Sequence, residues 1–212
     1  VALGSREQGG ESASLAQDLL ADTELQLRSR WTYLGEILAA RDSTLLRWPD
    51  RSSQPIRVWV DEAAGLEGFD PEQAAQVREA FGEWEEALLS LAFTFVSDAA
   101  AAEIRVSWVN SFADPVSGRT FWTRDQSGWI QSADIFLARR HVSGRAIRGT
   151  ALRAIALHEI GHSLGLDHTA DTTSVMAARV RVSHLSEIDR STVALLYQLT
   201  PGKRSLPSAV AR

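Results

Sequence analysis

Hydrophobic and polar positions follow two periods along the chain. Period two marks Ile56-Arg57-Val58-Trp59-Val60, Ala92-Phe93-Thr94-Phe95-Val96 and Ile104-Arg105-Val106-Ser107-Trp108, and each run predicts a strand. Arg119 to Arg124 predicts a further short strand, Asp125-Gln126-Ser127-Gly128 a hairpin turn, and Trp129 to Leu137 a longer strand. Helical spacing runs through Ala74, Val77, Phe81, Trp84 and Leu88, with Asp70 as cap and Pro71 in the first helical position, and should reach about Ser90. A second apolar stripe, Leu152, Ile155, Ala156, Ile160 and Leu164, predicts a helix with Thr150 as its cap. Ser186 caps a last helix that should run to about Leu199, ahead of Pro201. Looser helical spacing through Leu15, Leu19, Leu25, Trp31, Leu34, Ile37 and Leu38 predicts helix from Glu11 to about Arg41, although Gly35 weakens it.

Trp48 to Pro55 carries two prolines and several turn formers and reads as a boundary. The expected organisation is a helical extension or pro-segment over 1–50, a main domain over 51–200 and a polar tail over 201–212, with residues 1–10 disordered. Strand, helix, several strands, helix, loop and helix in that order predict one twisted sheet with helices packed against it.

Composition narrows the partners. The chain has 212 residues, 44% hydrophobic and 23% charged, which suits one globular domain with an appended segment. A net charge of -5 gives no reason to expect nucleic acid or an anionic membrane as partner. No apolar run is long enough to span a bilayer. The chain begins at Val1 without a legible leader, so a processed chain is expected. Cysteine is absent, which excludes a disulfide framework and any thiolate that could cap a metal.

The chemistry concentrates in one stretch, His158-Glu159-Ile160-Gly161-His162-Ser163-Leu164-Gly165-Leu166-Asp167-His168. His158 and His162 stand at i and i+4, so a helix projects both imidazoles from one face. Gly165 can take a left-handed conformation that ends the helix and turns His168 back to the same metal. Three neutral imidazoles with an open fourth position describe a catalytic zinc. Glu159 would act as general base for the attacking water and then as acid for the leaving amine, so the natural reaction is hydrolysis of an unactivated amide. Asp167 is either solvated, paired with a loop arginine or a support for the site from behind.

With its Gly165 and His168 extension, this stretch resembles the HExxHxxGxxH motif of the metzincin metalloproteases. The resemblance implies a methionine turn beneath the zinc, and Met176, the one methionine in the chain, lies eight residues after His168. That short spacing is similar to the matrixins, the matrix-metalloprotease family. Thr169 stands where matrixins usually have Ser, and Ala178 where astacins and serralysins place a Tyr. Leu185 to Asp189, with Tyr197 further on, resembles the matrixin last helix, and Asp189 would then tie that helix to the methionine turn. Ile188 departs from the acidic residue expected there.

The family implies an α+β metzincin (zincin-like) fold: a mostly parallel sheet of about five strands with an antiparallel edge strand, two long helices and a C-terminal helix. It also implies a peptide or protein substrate, added along the edge at Thr120, Phe121, Trp122 and Thr123, and a pocket lined by Ala178, Val180 and His184. His184 could equally be an exposed loop residue. One zinc is expected. Calcium is possible but not evident, and only His141 and His184 lie outside the motif, too few for a second, structural zinc. The resemblance further implies a monomer of minimal, bacterial type that is secreted, periplasmic or at the cell surface. Carboxylates of the 1–50 segment (Asp18, Asp22, Asp42, Asp50) could approach the zinc in a latent form or be solvated. Two other readings stay open: a zinc-binding interaction module with an occupied cleft, and a hydrolase of a non-protein amide.

Overall fold

A computed structural model describes residues 28, 30–62, 70–88 and 90–203. The expected helix from Glu11 and the disordered residues 1–10 fall largely outside these residues. Where the segment is described, it is interrupted rather than continuous: Arg28 is helical, residues 30–33 form turns and bends, and α1 spans Leu34–Ala40. Strand β1 is Thr44–Leu45, β2 Ile56–Val60, β3 Phe93–Phe95, β4 Ile104–Val109, β5 Gly118–Arg124, β6 Ile130–Ala138 and β7 Gly202–Lys203. The remaining helices are α2 (Pro71–Ala87), α3 (Thr150–Ser163) and α4 (Glu187–Leu196).

Five strands form one sheet in the order β3-β2-β4-β6-β5. Pairing is parallel from β3 through β6, and β5 joins antiparallel at the edge. This is the mixed α+β architecture expected from the family resemblance. The parallel strands alternate as their sequences predicted: Ile56, Val58 and Val60 in β2, and Ile104, Val106 and Trp108 in β4, are buried. Against the sheet lies α2. Asp70 accepts from Glu72 N–H, Gln73 reaches back to Asp70 N–H, and Pro71 occupies the first turn. Its buried stripe of Ala74, Val77, Ala80, Phe81 and Trp84 meets the sheet and α3, with Phe81 edge-on to Phe93 at 5.0 Å.

Residues 33–48 pack into the same core as the sheet. Tyr33, Leu34, Ile37, Leu38, Leu45, Leu46 and Trp48 are all buried. β1 pairs with β7, which draws Gly202 and Lys203 out of the expected tail and onto the N-terminal segment. Gly128 (φ +90°), in the turn between β5 and β6, lies against Leu45 O and Gly202 N, a closeness that a Cβ would forbid. Both α2 and α4 end earlier than expected, at Ala87 and Leu196.

Candidate metal centre

Helix α3 carries the first half of the site. It starts at Thr150, and the residue in the cap position is Gly149 (φ +56°) with no side-chain cap, so Thr150 opens the helix rather than capping it. Its C-terminal end is fully bonded. Gly165 N–H donates to His162 O and Leu166 N–H to Gly161 O, the six-residue motif that a left-handed glycine closes. Gly165 has φ +97°, and a Cβ there would collide with Leu46 O. The carbonyls left over are met by side chains: Trp48 Nε1 donates to Ser163 O at 2.9 Å and Tyr197 Oη to Leu164 O at 3.0 Å. The chain thus reverses on a rigid corner and brings His168 towards the helix.

Three ring nitrogens converge there. His162 Nε2 lies 3.1 Å and His168 Nε2 3.3 Å from His158 Nε2. The opposite nitrogen of His158 faces Val175 O at 2.6 Å, and that of His162 faces Leu166 O at 3.1 Å. A carbonyl only accepts, so these Nδ1 atoms carry the protons and both Nε2 atoms present lone pairs. Burial pushes His158 down to about 4 and His162 down to about 3, so both rings are neutral at pH 7. Lone pairs this close repel each other unless a cation sits among them. The donor set therefore fits a metal, and neutral imidazoles suit a borderline ion such as zinc. Among the described residues these three are the group able to hold one.

Glu159 lies next to His158 but on the side facing β5. Thr120 Oγ1 is 2.7 Å from its Oε2 and 3.0 Å from its backbone oxygen. Gly118, the first residue of β5, packs on the carboxyl, and any side chain there would overlap it. Burial raises Glu159 to about 7, against the lowering effect of the Thr120 hydrogen bond. A dication at the three nitrogens would act in the same lowering sense.

Below the helix sits Met176, fully buried, with its sulfur against Gly161 where a Cβ would not fit. Its turn is tied back to the third histidine's loop by Thr169 N–H donating to Met176 O at 3.1 Å. Asp189 anchors the turn from α4. Its carboxylate accepts from Ser174 Oγ, Val175 N–H at 3.1 Å, Ser186 N–H at 2.9 Å and Tyr33 Oη at 3.3 Å.

The other residues singled out in the sequence divide by place. Along β5, Thr120 turns to Glu159, and Trp122 is half-buried with the Arg41 guanidinium 5.7 Å from its ring. Phe121 and Thr123 face the other side, against Phe136 and Ser132, and Phe121 is 56% exposed. Ala178 and His184 are exposed and Val180 is half-buried. Asp167 pairs with Arg41 at 2.9 Å; partial burial raises its pKa, but Arg41 and the His168 N–H outweigh that and hold it below the usual range. Asp42 meets Lys203 at 3.1 Å and Asp50 accepts from Ser52 N–H at 2.9 Å; Asp18 and Asp22 lie outside the described residues. Two contacts were not legible in the sequence. Arg41 and Glu36 of the N-terminal segment bond the loop around His168, more than 120 positions away, and no local pattern announces such a pairing.

Comparison with known proteins points one way. The family model described as Matrixin matches residues 67–198. A soybean (Glycine max) protein, Metalloendoproteinase 1, is 30% identical over 91 residues, which are 41% of this chain and 28% of that protein.

Proposed function

The chain belongs to the matrixin family, and on that premise we propose that it is a zinc endopeptidase cleaving internal peptide bonds of proteins. The observation that carries this reading is the convergence of the three imidazole nitrogens beside the buried Glu159 carboxyl. His158, His162 and His168 hold the ion and leave a position open to substrate and water. A zinc ion supplies Lewis acidity there, polarising the scissile carbonyl and acidifying the attacking water. Glu159 takes the proton from that water and delivers it to the departing amine. Burial raises its proton affinity and a bound dication would lower it, and a carboxyl held between those two pulls suits a group that must first accept and then donate. Thr120 orients the carboxylate from β5. Met176 and Asp189 support the site from below.

Substrate binds as an added antiparallel strand along the free edge of β5, where Phe121 is exposed. Ala178, Val180 and His184 lie on the segment after the Met176 turn, where the substrate side chain following the cleaved bond would be received. The reaction is extracellular in this reading; among the described residues no helix is long and apolar enough to cross a membrane. Any inhibitory segment removed by cleavage lies before Tyr33, because residues 33–48 belong to the core.

Glu159→Ala tests the assignment. The variant should bind one equivalent of zinc and cleave casein at least about 1,000-fold more slowly than wild type, the scale expected when a general base is removed. Chelation should abolish wild-type cleavage and zinc should restore it. Cleavage at the wild-type rate by Glu159→Ala would sink the assignment.

A further inference from the structure

We propose that Arg41 and Glu36 are positioning residues for the third metal ligand, holding the loop that carries His168 where its nitrogen meets those of His158 and His162. The inference rests on the zinc reading above. His158 and His162 are placed twice over, by a helical backbone and by a carbonyl at the second ring nitrogen. His168 has neither: it is exposed, it lies on a loop, and among the described residues no carbonyl stands against its other nitrogen. Only the path of the backbone from Gly165 to Ala170 sets where the ring stands.

Five bonds from the N-terminal segment hold that path. Arg41, the residue just after α1, opens a three-pronged fork: Nη1 donates to Gly165 O at 2.7 Å, Nη2 to Leu166 O at 2.9 Å and Nε to Asp167 Oδ2 at 2.9 Å. Asp167 in turn accepts from His168 N–H at 2.8 Å, so the fork reaches the ligand's own backbone. On the other flank, Glu36 accepts from Thr169 Oγ1 at 3.0 Å and from Ala170 N–H at 2.8 Å. His168 is thereby bracketed on both sides. The anchor is firm, because Leu34, Ile37 and Leu38 are buried and Tyr33 N–H donates to Thr192 Oγ1 at 3.1 Å. The fork also needs a planar guanidinium; a lysine carries the charge but cannot reach three acceptors at once. The segment that reads as a removable extension thus contributes to the metal centre.

The test uses the full chain and three variants: Arg41→Lys, Glu36→Gln and, as a packing control on the buried face of the same helix, Ile37→Val. Zinc affinity is read by chelator competition, ligand geometry by the visible spectrum of the cobalt(II)-substituted protein, and folding by thermal melting of the metal-free protein. Arg41→Lys should weaken zinc binding on the order of 10-fold, the scale of partners behind metal ligands, and alter the cobalt spectrum. Glu36→Gln should shift both in the same direction by less, and it keeps the test decisive if Arg41→Lys does not fold. Ile37→Val should lower the melting temperature and leave affinity and spectrum unchanged. Wild-type affinity and spectrum in Glu36→Gln and in folded Arg41→Lys would overturn the proposal. So would an equal loss of affinity in Ile37→Val. A wild-type chain that takes up no zinc overturns the zinc reading itself, and with it this inference, an outcome distinct from the other two.

Discussion

His158 and His162 leave one face of a fourteen-residue helix, whereas His168 leaves a loop with no regular structure. All three bring the same atom to the same point. The helix places its two ligands by backbone spacing alone, four residues apart; only the carbonyls that orient the rings, Val175 O on the Met176 turn and Leu166 O beyond Gly165, come from outside it. The loop achieves it through distant partners: Leu46 O against Gly165, the Arg41 fork, Glu36, and the Met176 turn held by Asp189. A ligand on a helix inherits its position from secondary structure. A ligand on a loop must have its position built by tertiary contacts, and so is the easier one to disturb from afar.

The largest effect is expected from Gly165→Ala. A Cβ would meet backbone, which cannot step aside, and the residue would be held at φ +97°. Left-handed strain and overpacking together should cost about 3 kcal/mol or more in urea unfolding, with zinc affinity falling as His168 is displaced. Loss of stability without loss of affinity would show that the loop finds its place without that corner.

Asp189→Asn comes next. The carboxylate meets only donors, from Ser174, Val175, Ser186 and Tyr33, so an amide NH2 would face at least one of them. A loss of about 2 kcal/mol is expected by the same measurement. The smallest effect belongs to the helix side. In Gly161→Ala the new Cβ meets the end of the buried Met176 side chain and, at 3.1 Å, the Trp84 ring, so the methionine must shift to admit it. Overpacking of roughly 1–3 kcal/mol is offset by about 1 kcal/mol of helix propensity, leaving a net cost of about 1 kcal/mol. A Gly161→Ala cost larger than that of Gly165→Ala would reverse the ranking of the two carriers.

Much of the site could be read from the sequence because its elements are local. The i, i+4 histidines, the glycine that ends their helix and the third histidine beyond it lie within eleven residues, so helix geometry plus one turn marks the three as candidates for one site. The sheet strands were equally legible, since Ile56–Val60 and Ile104–Val109 keep strict alternation. The N-terminal segment was not. Its apolar spacing fitted one long helix, but helix at Arg28 gives way to turns and bends at residues 30–33, then to the seven-residue α1, a turn with Asp42 (φ +47°) and Ser43 (φ +59°) and a strand. A pattern of buried positions says that a segment packs; it does not say against what.

The sequence by itself determined which residues could hold a metal and which carboxyl stands beside them, because that chemistry is written in short spacings. Only the tertiary structure decided what keeps the third histidine in place, what the Glu159 carboxyl leans on, and that residues 33–48 belong to the core. The reason is physical: those contacts join Glu36 and Arg41 to residues 165–170, and Gly118 and Thr120 to Glu159. Side chains so far apart in the chain meet only once the sheet and helices have packed, and no local periodicity encodes that meeting.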